Sequence, residues 1–189
     1  MKIRVVFKRF VNYLKKDTWD SWLVCLILVF VFIKFIFFPL LSLITGSSLP
    51  LVVVESCSMY HEANFDDWWF QNSAWYGQMG INKSDFESYP FKTGLNKGDI
   101  IITWDYGKFK KGDIIIFSAP TQYPLIHRII SDKKLTTKGD HNPGQLDIEK
   151  EISEEQVIGK AVARIPLVGW LKLIFFEPFK PANERGLCA

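Results

Sequence analysis

Apolar residues are spread very unevenly along the chain. Between Trp22 and Ile44 the run WLVCLILVFVFIKFIFFPLLSLI holds a single charge, Lys34, in 23 residues. At about 1.5 Å per helical residue this covers roughly 35 Å, enough to cross a hydrocarbon core of about 30 Å with some tilt. The pattern predicts a transmembrane helix over 21–45. It reads as a retained anchor, because the run is longer than a signal-peptide core and no small-residue cleavage pattern follows it. Lys34 costs about 2.5–3.5 kcal/mol at mid-span on insertion scales, and Pro39 removes one backbone donor. The phenylalanines around them outweigh both, and Lys34 reads as a snorkelling side chain or a partner contact.

Beyond the span the hydrophobic positions come in short bursts separated by polar, glycine-bearing turns. LVVVES at 51–56 is a β-branched run of the kind that makes a buried strand. KGDIIITW at 97–104 and KGDIIIFS at 111–118 repeat one phrase, each a polar glycine turn entering an apolar strand, and DYGKFK between them suits a connection between neighbouring strands. YPLIHRII at 123–130 and KKLTTKG at 133–139 predict two more strands. KAVARIPLVGWLKLIFF at 160–176 predicts a strand and then an apolar tail too short to span a bilayer, which packs on the domain or rests at the membrane interface. Residues 61–96 are different: polar and aromatic with little periodicity, they either fill a small core or lie against lipid headgroups. The expected architecture is a mainly β domain over 46–176, with an aromatic insertion at about 61–96, following one N-terminal transmembrane helix. Residues 1–20 form a basic N-terminus and 177–189 a C-terminal tail.

Charge gives the span a direction. Lys2, Arg4, Lys8, Arg9, Lys15 and Lys16 precede it, whereas residues 46–65 contain no Lys or Arg. The positive-inside rule then puts the N-terminus in the cytoplasm and everything from about Gly46 outside it. The formal net charge of +3 is accounted for by this basic segment. The exported part is close to neutral and shows no basic stripe, which disfavours a nucleic-acid role. Cys25, Cys57 and Cys188 are an odd number at unrelated positions and define neither a disulfide framework nor a metal site.

Candidate chemistry begins where the first strand ends. Ser56, Cys57 and Ser58 occupy a turn just after it, where backbone amides can receive an oxyanion. Strand-end serines more often cap turns, so a base must be found elsewhere. Of His61, His127 and His141, His127 stands out because PLIHRII would hold it rigid and partly dry, and an imidazole with an ordinary pKa near ~6.5 needs little tuning to act as a base. His61, three residues after Ser58, could instead be a spurious base or a contact to substrate. A third KGD, at 138–140, leads into HNPGQLD and not into a strand. Asp140 and Asp147 are therefore two loop carboxylates able to orient an imidazole or buttress a site.

ESCSM, GDIIIF, LIHRII, TTKGDHNPGQLD and VIGKAVARIPLVGWL stand in the order and approximate spacing of the boxes of type I signal peptidases, and over residues 20–175 the chain resembles the archaeal and endoplasmic-reticulum branch of that family. The resemblance implies a signal-peptidase-like β-rich catalytic domain with Ser58 as nucleophile, His127 as general base, Asp147 orienting the histidine, Asp140 supporting the site, and Ser56 assisting the oxyanion. It implies a membrane-anchored serine endopeptidase that cleaves signal peptides from exported preproteins without metal or organic cofactor. An extended substrate would pair with Val52, Val53, Val54 and Glu55 on one side and with Leu125 and Ile126 on the other. Its partners would be signal-peptide-bearing preproteins, the lipid bilayer and protein-export machinery, in the cell membrane, or the endoplasmic-reticulum membrane of a eukaryote. The chain departs from the family in carrying Cys57 where glycine is usual and Tyr60-His61 where Glu-Pro is usual. A non-catalytic anchored module that binds exported chains, or a peptidase for a narrow class of precursors, are the alternatives.

Overall fold

The unbroken apolar run becomes one continuous helix in the computed structural model, which describes residues 2–188. Helix α1 (Lys2–Leu14) is followed by α2 (Trp19–Phe32), a π-helical turn (Ile33–Phe37) and α3 (Phe38–Thr45). The last three are continuous over Trp19–Thr45, 27 residues with a mean hydropathy of 2.9, long and apolar enough to cross a membrane by length and composition. The wide turn has a cause. Pro39 offers no N–H and its ring would clash with the carbonyl four residues back, and slipping the preceding turn into π register relieves this: the Phe38 N–H reaches back to Ile33 O. Lys34 lies over the rings of Phe30 and Phe35, 5.9 and 5.5 Å from their centres.

A second unit, beginning at Thr45, carries a six-stranded antiparallel sheet. Its strands are β1 (Leu51–Val53), β2 (Ile100–Trp104), β3 (Ile114–Phe117), β4 (Leu125–Ser131), β5 (Thr136–Lys138) and β6 (Val157–Ile165), in the spatial order β1-β2-β6-β3-β4-β5. The two KGDIII phrases start β2 and β3 as expected, but these strands are not neighbours: β6 lies between them and pairs with both. The turns themselves are near copies. Asn96 N–H and Lys110 N–H each donate to the aspartate three residues on, at 2.8 and 3.1 Å. Gly98 and Gly112 take φ of +89° and +94°. A Cβ on either would lie 2.1 Å from the Trp170 ring or 2.3 Å from the Tyr89 ring, so only glycine fits.

Register shifts interrupt β2–β6, β3–β6 and β4–β5, and such bulges bend strands and raise their twist. The sheet curls far enough for its opposite edges to meet. The Ser58 carbonyl, beyond β1, accepts the His141 N–H, beyond β5, at 2.9 Å. Val54, Met59, Leu95, Ile101, Ile114 and Ile116 fill the interior next to this seam.

The aromatic insertion is regular where its sequence suggested irregularity. Asn64 caps α4 (Phe65–Gln78) and Asn82 caps α5 (Lys83–Glu87), each side chain accepting the backbone N–H three residues on. Trp68, Trp69, Tyr76, Ile81 and Phe86 bury themselves with Ile130 of β4 as a second small core. Core filling, not lipid contact, accounts for these rings. After β6, α6 (Trp170–Phe176) docks through Leu173 and through the Trp170 indole, which donates to Lys97 O at 3.0 Å, while Leu171, Ile174 and Phe175 stay exposed. The C-terminal tail also packs on the domain: Lys97 Nζ donates to Glu177 Oε2 at 2.8 Å and to Glu184 O at 2.6 Å.

Candidate active site

Past Val53, strand pairing continues for one more residue. Val54 N–H donates to Asp99 O and Val54 O accepts the Gly98 N–H. The chain then turns, closed by the Tyr60 N–H on Cys57 O at 3.0 Å. Met59 is buried and held at both ends, its carbonyl accepting Leu95 N–H at 2.8 Å and its sulfur accepting Asp140 N–H at 3.4 Å. Ser58 is thereby clamped just outside the core, with its Oγ 3.2 Å from Ser56 Oγ.

His127 sits in the middle of β4, paired with Ile115, and is 2% exposed. Its Nδ1 is hydrogen-bonded to Glu149 Oε1. Glu149 is fully buried, and its carboxylate also accepts the Thr137 hydroxyl at 3.1 Å and the Leu146 N–H at 2.8 Å. An anionic acceptor at Nδ1 keeps the proton there and leaves a lone pair on Nε2. That Nε2 and the Ser58 carbonyl oxygen both lie 2.8 Å from the point where a Cβ on Gly139 would stand. The third KGD thus supplies a glycine for a different reason from the other two: a side chain there would fill the space that the serine turn and the histidine share.

Asp147 does not do what the resemblance implies. Its side chain is 94% exposed and pairs with Lys150 at 2.6 Å, while the residue that binds His127 is Glu149, two positions later. Asp147–Glu149 is a 3-10 turn, in which residues two apart point in different directions, so only one of the two carboxylates can face the histidine. The sequence signal was present as a second acid in LDIE, but nothing local says which acid turns inward.

Asp140 is the centre of a buried polar cluster. Fully buried, it accepts Arg128 Nη2 at 2.7 Å and Nε at 3.0 Å, Tyr76 OH at 3.0 Å and His61 Nε2 at 3.1 Å. Burial alone would raise its carboxyl, but the Arg128 guanidinium and the hydrogen bonds from His61 and Arg128 outweigh this and hold it well below the usual carboxylate range. Arg128 spends its remaining donors on the carbonyls of Pro90, Gly112 and Phe91 and lies over the Phe86 ring. His61, buried and bonded to Asp140, stacks on Trp68 at 3.6 Å, and burial lowers its pKa against the pull of Asp140. Lys138, buried over the rings of Trp75 and Tyr76, is lowered by desolvation to about 8. Residues of the 61–96 insertion thus cover this buried charge network.

The expected substrate strands separate into usable and unusable positions. β1 is an edge of the sheet. Pro50 O and both backbone groups of Val54 face β2, and Val52 is paired with Ile101, so alternation leaves Val53 and Glu55 pointing to the open edge. Val52 and Val54 spend their backbone groups on β2, and the Val54 side chain belongs to the core. Leu125 and Ile126 pair with β3 on one side, and β5 begins pairing only at Arg128, so their other edge extends past β5.

Cys57 and Cys188 form a disulfide, with Cα atoms 5.6 Å apart across a sequence separation of 131. Spacing alone gave no reason to pair them. Cys25, in the membrane helix, is free.

A serine turn at the end of an edge strand and a strand histidine bonded to a buried carboxylate thus lie in a β domain that follows one apolar helix. The chain is similar in sequence to curated catalytic subunits of the signal peptidase complex. It is 25% identical over 162 residues to the signal peptidase complex catalytic subunit SEC11 of Komagataella phaffii, covering 76% of each chain. To the proteins of the same name from Lachancea thermotolerans and Verticillium alfalfae it is 24% identical over 159 residues (76% of each chain) and 25% identical over 153 residues (72% of this chain, 70% of the relative). No family model matches the chain. No solved structure matches it significantly.

Proposed function

We propose that the protein is a membrane-anchored serine endopeptidase that removes signal peptides from exported preproteins. The observation that carries this reading is the meeting of the Ser58 turn and the Glu149-held His127 at Gly139. In the reaction, His127 Nε2 takes the Ser58 proton as Oγ attacks the scissile carbonyl, and the Ser58 N–H and Ser56 hydroxyl receive the oxyanion. The imidazolium returns its proton to the leaving amine. A water then gives up its proton to Nε2 and hydrolyses the acyl-enzyme.

An extended cleavage segment adds to the open edge of β1 through Val53 and Glu55, with Leu125 and Ile126 opposite. The basic residues before the span support a cytoplasmic N-terminus, and the Cys57–Cys188 bridge supports an oxidising compartment for the catalytic domain. That fits the cell membrane, or the endoplasmic-reticulum membrane of a eukaryote, with preproteins, lipid and the export machinery as partners.

Full-length protein purified in detergent, wild type and Ser58→Ala, is incubated with a labelled preprotein and the products are weighed. Wild type should release one mature product and Ser58→Ala none. Equal cleavage by both would point to a different nucleophile, and no cleavage by either would leave the alternative of a binding module.

A further inference from the structure

We propose that the Cys57–Cys188 disulfide is a positioning device for the nucleophile, strapping the C-terminal tail to the residue between Ser56 and Ser58, so that turnover follows the thiol–disulfide state of the compartment. The proposal rests on the reading of Ser58 as nucleophile. The two serine hydroxyls, two residues apart, lie 3.2 Å from each other, a contact that requires the backbone at Cys57 to stay turned. Cys57 is where the bridge is attached.

The other end of the strap is not loose. Lys180 Nζ of the tail donates to Glu55 O at 3.0 Å and Lys172 Nζ of α6 to Glu55 Oε1 at 2.7 Å, so α6 and the tail hold the chain on both sides of Ser56, covalently at Cys57 and by hydrogen bonds at Glu55. The tail is in turn fixed to the buried Lys97, through Glu177 Oε2 and Glu184 O, and the Gly186 N–H closes on the same Glu177 oxygen at 2.8 Å. Lys97 directly precedes Gly98, whose N–H holds Val54 O. The bridge thus completes a closed circuit from the end of β1, through the serine turn and the tail, back to the end of β1. On the far side of Cys57 the turn is held by the Tyr60 N–H on Cys57 O, the His141 N–H on Ser58 O and the Met59 contacts, whereas between Glu55 and Cys57 the strap supplies the hold.

The switching chemistry needs a dithiol or disulfide of the compartment as co-reactant. A dithiol's thiolate attacks one sulfur of the bridge and forms a mixed disulfide, and its second thiol displaces the other. Cys57 and Cys188 take up two electrons and two protons and leave as thiols, while the reductant ends as a disulfide. Oxidation runs the same exchange backwards. With the bridge open, the Ser56–Ser58 arrangement becomes one of several turn conformations. The productive fraction falls, while the β1 edge that binds substrate is unchanged.

The test uses full-length protein in detergent, with wild type compared oxidised, reduced by dithiothreitol and reoxidised, the thiol state being read by mass after alkylation. Cys188→Ser and Ser58→Ala are run beside it, with near-UV circular dichroism as the check on folding. Reduction should lower kcat by about tenfold or more, as loss of alignment does, with KM within about twofold, and reoxidation should restore it. Cys188→Ser should show the same low kcat and no response to dithiothreitol. Full kcat in alkylated wild type, or in Cys188→Ser, would overturn the proposal. So would loss of the near-UV spectrum in step with activity, which would make the bridge a stabiliser of the whole domain. Cleavage by Ser58→Ala at the wild-type rate would instead overturn the assignment of the nucleophile, and the strap's role with it.

Discussion

Glu149→Gln is the substitution that most directly tests how His127 is held. The carboxylate accepts at both oxygens: Oε1 from His127 Nδ1 and the Thr137 hydroxyl, Oε2 from the Leu146 N–H. A glutamine amide has one oxygen and one NH2 to fill those places. If the NH2 faces the Leu146 N–H, two buried donors oppose each other, at a cost of about 1–3 kcal/mol. The amide therefore turns its oxygen to Leu146 and its NH2 to His127. Nδ1 must then accept, which moves the imidazole proton to Nε2 and removes the lone pair that takes the Ser58 proton. Wrong-tautomer variants of Ser–His–acid enzymes lose about 10⁴ in kcat; on that scale kcat here should fall about a thousand- to ten-thousandfold, or roughly 4–5.5 kcal/mol of barrier. Single-turnover cleavage of a labelled preprotein measures it, with near-UV circular dichroism confirming the fold. Asp147→Asn is the matched control, since its exposed carboxylate pairs with Lys150 and not with His127, and it should cleave within about twofold of wild type. A Glu149→Gln enzyme with a tenth or more of wild-type kcat, or an Asp147→Asn enzyme as impaired as Glu149→Gln, would refute the reasoning.

Gly139→Ala should cut kcat at least a hundredfold at a stability cost of about 1–3 kcal/mol, because its methyl would stand 2.8 Å from both His127 Nε2 and Ser58 O and force them apart; unimpaired cleavage would mean that the serine and histidine do not share that space. Lys138 is lowered to about 8 in the fold by desolvation, so between pH 8 and about 10.5 the folded protein has released a proton that the unfolded chain still holds. Unfolding then takes up a proton and stability rises with pH across that window. Thermal midpoints should show wild type gaining relative to Lys138→Met as pH is raised through it, and parallel curves would contradict the lowered value.

The sequence by itself determined what depends on neighbours along the chain. The length of the apolar run and its basic flank set the span, and β-branched bursts after KGD turns marked strands because glycine at positive φ starts them. The ordered boxes also brought Ser58, His127 and Asp140 forward as candidates. What it could not decide were choices made by residues far away. LDIE contains two acids, and the 3-10 turn, docked against Thr137 and His127, selects Glu149 over Asp147. KGD occurs three times, and only the packing of Trp170, Tyr89 or the Ser58–His127 pair against each glycine tells the three apart. The rings of 61–96 lack a clear period because they surround a buried Asp140–Arg128 pair, and three-dimensional enclosure imposes no repeat on the chain. Cys57 and Cys188 are likewise indifferent to their spacing of 131 residues, since a bridge requires only that the fold bring two Cα atoms to 5.6 Å. Local rules fix which elements form; burial and long-range contact decide which of several equivalent side chains each element presents to the site.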